Sequence, residues 1–140
     1  MEASGPLGTL LQALNDRDTD AVRSLLAPDF LFEEVAGRGR ASEDALLAEI
    51  EMILSGLSDL SFRPARLTEE GNRTYLEFRA VGMHTGAFLG VPPTGTLAIV
   101  SGVFNAVQDR RHIHALRWTI DFGGLRRQLL MAAQMSRRAP

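Results

Sequence analysis

A chain of 140 residues with 45% hydrophobic and 23% charged side chains suits one folded domain with a real core, and excludes a disordered chain. Its formal net charge of -2 offers no general attraction for nucleic acid. The lack of cysteine excludes disulfides, thiolate metal sites and a cysteine nucleophile.

Residues 1–8 contain no basic segment followed by a long apolar run, so no signal peptide is read there, and no stretch has the length to span a bilayer. The expectation is a single cytoplasmic domain over residues 1–140. Gly5-Pro6 is the first turn signal, and Leu7, Leu10, Leu11 and Leu14 then recur at helical spacing. Residues 15–18 interrupt that pattern. Thr19 or Asp20 can cap a second short helix carrying Val22, Leu25 and Leu26, which Pro28 should stop. Residues 29–35 alternate as a strand, with Phe30 and Phe32 on one face. Ser42, Glu43 and Asp44 mark a helix start with the apolar stripe Leu46, Leu47, Ile50, Ile53, Leu54 and Leu57.

The period then changes. Leu60, Phe62 and Leu67 predict a strand that turns at residues 69–72. The next strand, residues 73–84, puts Tyr75, Glu77, Arg79 and Val81 on one face and Leu76, Phe78, Ala80 and His84 on the other. Residues 85–95 are rich in glycine and proline and predict a loop. Residues 96–107 are apolar throughout and predict a central strand buried on both faces. Residues 112–121 return as the last strand, Gly123-Gly124 break it, and Leu125, Leu129, Ala132, Ala133 and Met135 pattern a final helix with a frayed tail at 136–140. Helices first and antiparallel strands after give an α+β fold, a curved sheet over N-terminal helices with a concave side for an apolar ligand.

Asp121 is the residue to explain. An acid between a strand and a helix can be an N-cap, a surface charge or a catalyst. His84, at the edge of the loop, suits either a satisfied structural imidazole or a group that orients a carbonyl or relays a proton. His112 and His114 have no third ligand nearby in sequence and read as solvent-facing or interfacial rather than as a metal site. Glu77 and Arg79 share a face and read as a surface pair. Were that face concave, Arg79 with Asp121 would suit epoxide opening. Tyr75 can line a pocket or bond within the core. Arg126, Arg127, Arg137 and Arg138 suit a helix C-terminus or a solvated face.

Three stretches carry a resemblance. Residues 82–96, GMHTGAFLGVPPTGT, resemble the G-x-H-x-G…G-x-P-P-T-G signature of SnoaL-like polyketide cyclases. Residues 118–129, WTIDFGGLRRQL, resemble that family's Trp…Asp…Gln-Leu terminus, and residues 27–34 fit the wider nuclear-transport-factor-2-like (NTF2-like) superfamily. The element order agrees from about Leu7 to Met135. The resemblance implies a cone-shaped α+β barrel, usually a homodimer, with an interior apolar pocket that uses neither metal nor organic cofactor. It implies ring closure on a polyketide by intramolecular aldol condensation, with the carboxylate near the end of the last strand, here Asp121, as acid/base. Some members add a histidine on the preceding strand, and residues 103–105 contain none. Relatives on the scaffold open epoxides or close oxygen heterocycles, and the superfamily includes non-catalytic binding modules. On this reading Trp118, Phe78, Phe88 and Phe104 form the apolar wall, with Tyr75 and Arg79 as further substrate contacts and His84 as a second catalytic group. Trp118 and Phe122 would then shield Asp121 from water and raise its proton affinity.

Overall fold

A computed structural model describes residues 5–138. Four helices, α1 (Gly5–Asp16), α2 (Thr19–Leu25), α3 (Arg40–Gly56) and α4 (Phe122–Arg138), accompany five strands. The strands are β1 (Leu26–Phe32), β2 (Ser61–Glu70), β3 (Arg73–Met83), β4 (Leu97–Gln108) and β5 (Ile113–Ile120). They form one sheet in the order β1-β5-β4-β3-β2, antiparallel except where β1 runs parallel to β5. This is the expected α+β architecture.

Strand parity organises everything else. Leu76 in β3, Phe104 in β4 and Trp118 in β5 form one cross-strand row on the inner face, and Phe78, Gly102 and Ile120 form the next. Phe78 stacks on Phe104 with ring centroids 4.9 Å apart, Trp118 lies 5.2 Å from Phe104, and Phe62 closes the group 5.5 Å from Phe78. Leu7, Leu10, Leu11 and Leu14 of α1 join this core, as do Leu46, Ile50 and Ile53 of α3.

Two amide side chains stand in for missing strands. Asn15, at the end of α1, donates from Nδ2 to Phe62 O (2.9 Å) and accepts from Phe62 N at Oδ1 (2.7 Å). Gln128 of α4 does the same to Ile99, beyond the reach of β5, donating at 2.8 Å and accepting at 3.0 Å. Each satisfies one residue of strand backbone as a neighbouring strand would.

Several boundaries differ from expectation. Asp18, not Thr19 or Asp20, caps α2, because its Oδ1 accepts from Ala21 N. Pro28 does not stop that helix. It lies inside β1, which begins at Leu26 and ends before Glu33. Gly39, with φ 63°, precedes α3, and Ser42 is buried in its first turn, bonded to Gly37 O. Strand β4 is central but buried on one face only, because α4 covers little of its outer side and Leu97 and Ile99 stay exposed. Gly123 and Gly124 lie within α4 rather than before it. That helix continues to Arg138, so residues 136–138 extend it instead of fraying, and Met135 points to solvent. Residues 1–4 and 139–140 lie outside the described residues, as do the side chains of Arg137 and Arg138.

Candidate functional site

The loop motif resolves into a fastening device. His84 is completely buried, and its Nδ1 accepts from Thr94 N (3.2 Å) with Thr94 Oγ1 at 2.9 Å. Its own backbone N–H donates to Thr96 O, and its carbonyl accepts from Gly95 N, where φ is 68°. Between these anchors Leu89 and Gly90, both with positive φ, form a tight turn closed by Phe88 and Val91. Phe88 and Val91 are buried, so the loop adds to the core. Because Nδ1 accepts from an amide, the remaining proton of a neutral ring belongs on Nε2, which is buried with no partner among the described residues. The indole Nε1 of Trp118 is likewise buried and unpartnered. These donors do not form one site, because His84 lies eight positions along the chain from Leu76, which shares Trp118's row, or roughly 25 Å.

Asp121 lies on the opposite side of β5 from Trp118. Residues 116, 118 and 120 face inward, so Asp121 falls outside and is exposed. The expected shielding by Trp118 is therefore absent. The acid is the cap of α4: Oδ1 accepts from Gly124 N (2.9 Å), and its carbonyl accepts from Leu125 N. The glycine after it has a steric reason. A Cβ on Gly124 would overlap Asp121 Oδ2, with Cγ only 2.9 Å away. Among the described residues, Oδ2 has no hydrogen-bond partner.

What surrounds Asp121 is a trough of about 690 Å³ on the outer sheet face, lined by Arg79, Glu77, Ser101, Val103 and Thr119 with Asp121 at its end. Asp121 N donates to Ser101 O, and Ser101 is the cross-strand partner of Arg79, which fixes the spacing of acid and cation. Among the described residues Glu77 pairs weakly with Arg66 (3.9 Å), and Arg79 has no carboxylate within ion-pairing distance. The expected Glu77–Arg79 surface pair is thus not formed, because Arg66 sits opposite Glu77 in the β2–β3 register. Tyr75 lies half-buried further along the same outer face, opposite Asn105. Of the expected wall residues, Trp118, Phe78, Phe88 and Phe104 are all core side chains with at most 4% exposure, and Phe78 also borders the trough.

The remaining polar contacts involve Glu33, Glu34, Glu49 and the Asp109–His114 pair. Glu34 Oε1 accepts from Trp118 N (3.0 Å), and Glu33 pairs bidentately with Arg73 (2.5 and 3.1 Å), which holds its carboxyl below the usual range. Burial pushes the half-buried Glu49 carboxyl of α3 up, and the charge of Glu34 adds to that. His114 Nε2 bonds Asp109 Oδ2 (2.7 Å) at the β4–β5 turn, while Asp109 Oδ1 accepts from Arg111 N and His112 N. These bonds, His114's foremost, hold Asp109 well below its ordinary value, and the Asp109 carboxylate raises His114. Arg126 Nε donates to Leu89 O, tying α4 to the loop. Among the described residues no group of three or more His, Cys, Asp or Glu converges as a metal site, and no helix is long and apolar enough to cross a membrane.

No curated protein matches the chain. Solved structures do. IdmH from Streptomyces antibioticus, described as a proposed polyketide cyclase, is 20% identical with a TM-score of 0.75, covering 89% of this chain and 95% of its own. TsrD from Streptomyces laurentii is 24% identical with a TM-score of 0.74, covering 89% and 91%. AclR from Streptomyces galilaeus, described as a proposed hydroxylase, is 20% identical with a TM-score of 0.73, covering 91% and 82%. At these identities the likeness establishes the NTF2-like fold. The family is fixed by sequence, because the model of the SnoaL-like polyketide cyclases matches residues 7–129, and the chain belongs to that family.

Proposed function

We propose that this chain is a cofactor-independent enzyme of polyketide tailoring in secondary metabolism, and that its acid/base chemistry takes place in the outer trough. One observation carries the reading: Asp121, with one carboxylate oxygen unpartnered, and Arg79, with no carboxylate against it, line the same depression. Asp121 takes a proton from a methylene flanked by two carbonyls. The resulting carbanion attacks a ketone carbon of the same molecule and forms the new C–C bond. Negative charge that develops on that ketone oxygen is met by the Arg79 guanidinium, and the proton on Asp121 returns to the oxygen. Folding the substrate in the trough brings the reacting carbons together, which contributes much of the acceleration.

The pairing of Arg79 with Asp121 also favours a second reading, opening of an epoxide by an internal hydroxyl or by water. Asp121 deprotonates the attacking oxygen as it bonds to the epoxide carbon, Arg79 meets the charge on the epoxide oxygen as its C–O bond breaks, and the proton on Asp121 passes to that oxygen. In either reaction the exposed trough needs a cover. Val81, Leu97 and Ile99 on the same face are 39–59% exposed, and a homodimer formed across them would exclude water from Asp121.

The test is Asp121→Asn, assayed by product analysis with linear poly-β-ketones and with epoxide-bearing analogues. Asparagine still caps a helix, so the fold should persist while turnover drops by about two orders of magnitude or more. Unchanged turnover would leave Asp121 as a cap only, whereas ligand binding without turnover in the parent chain would favour a non-catalytic binding module.

A further inference from the structure

On the helical side of the molecule, away from the trough, a cleft of about 410 Å³ separates α1 and α2 from α3. Its walls are apolar: Leu14 and Val22 on one side, Leu47, Ile50 and Leu54 on the other. The volume falls in the range of small-molecule pockets, roughly 300–1,000 Å³. At its lip stands Arg17, a residue with a left-handed backbone (φ 57°) at the end of α1.

The guanidinium of Arg17 is fixed by neutral groups. Nη1 donates to Leu14 O (2.6 Å), and Nη2 donates to Leu60 O (2.7 Å) and Ser58 O (3.3 Å). Among the described residues no carboxylate lies within ion-pairing distance of it. Its charge is therefore oriented but not neutralised, and two of its five N–H donors have no partner among the described residues. Arg23 adds a second cation to the lip. Two acids are also present. Asp18 is engaged as the cap of α2, and Glu51 belongs to the far wall on α3. The polarity of the cleft thus runs from a held cation to an apolar slot.

We infer that the cleft between α1–α2 and α3 binds a small amphipathic carboxylate, with its carboxylate on Arg17 and its hydrocarbon between Leu14, Val22, Leu47 and Leu54. The site is separate from the trough and does not depend on the role of Asp121.

Octanoate serves as the probe, with octan-1-ol and octylammonium as controls, followed by amide chemical shifts in the labelled full chain. Octanoate should shift residues of α1, α2 and α3 saturably, and rising ionic strength should weaken it without weakening octan-1-ol. Arg17→Gln should weaken octanoate by about tenfold or more and leave octan-1-ol unchanged. Leu54→Gln, remote from the carbonyls that Arg17 holds, should weaken both. Asp121→Asn should alter neither, which separates failure here from failure of the catalytic reading. A preference for octylammonium, equal weakening of both probes by Arg17→Gln, salt-insensitive octanoate binding, or shifts centred on the trough would overturn the inference.

Discussion

Whether Asp121 and Gly124 form one unit can be decided by a stability cycle that needs no substrate. Asp121→Ala removes the acceptor of Gly124 N and should cost about 1 kcal/mol, or about 3–4 °C in Tm for a chain of this size. Gly124 is within a helix, where glycine to alanine ordinarily gains about 1 kcal/mol. Here the new Cβ would overlap Oδ2 and crowd Cγ at 2.9 Å, so the carboxylate must swing off its amide. Gly124→Ala alone should therefore gain nothing, because the propensity gain of about 1 kcal/mol is cancelled by a lost cap of similar size. In the Asp121→Ala background the obstacle is gone, and the same substitution should stabilise by about 1 kcal/mol. The coupling of about 1 kcal/mol is measurable by urea denaturation of the four proteins. Equal stabilisation by Gly124→Ala in both backgrounds would refute the reasoning.

Three further outcomes follow from the polar contacts. Asn15→Ala deletes two bonds to a part-buried strand edge and should cost about 2 kcal/mol in urea unfolding, whereas the more exposed Gln128→Ala should cost about half as much. Glu49 has a raised carboxyl, so its protonated form favours the fold: stability is fully present below the unfolded value and is lost as pH rises through the folded one. Glu49→Gln should therefore gain more over the parent chain at neutral pH than under mildly acidic conditions, as read by Tm at each pH. His114 is raised and Asp109 lowered, so their mutual contribution is lost in two directions: as pH rises through the folded His114 value, and as pH falls through the folded Asp109 value. A His114→Gln chain should lack the loss on the alkaline side of that window in the same Tm series.

Much of the architecture was legible because period-2 and period-3.6 patterns report burial directly. The stripe of α1, the stripe of α3 and the alternation in β3 all appear as read. Misread boundaries share a cause: local chemistry that does not alter periodicity. Proline is tolerated in β1 at the edge of the sheet, and paired glycines are tolerated in the first turn of α4 because the cap is supplied by the residue before them. Placing Trp118 beside Asp121 ignored a parity already visible in the numbering. Three positions along a strand is an odd step, so the two side chains must face opposite sides. Asn15 and Gln128 also left a trace, each an amide adjoining the buried leucines of an amphipathic helix. Their partners, Phe62 and Ile99, lie 47 and 29 residues away, and no local pattern links them.

The motifs that tie this chain to its family are largely architectural, and that bears on the reaction. The histidine of the loop signature is occupied in holding Thr94, Gly95 and Thr96, so it shapes the loop before it can do any chemistry. The glutamine of the C-terminal signature is spent on Ile99, and the aspartate on Gly124 through one of its two oxygens. A family match on these residues therefore certifies a sheet edge, a loop and a helix start. On the proposed reading, what distinguishes one reaction from another is the set of groups outside the signatures that surrounds Asp121. On the outer face those groups are Arg79, Glu77 and Ser101 around the free oxygen of Asp121, and on the inner face the row Leu76–Phe104–Trp118 offers no acid or base at all. That row is built for packing, and the polar side chains that line the trough with Asp121 all lie on the outer face.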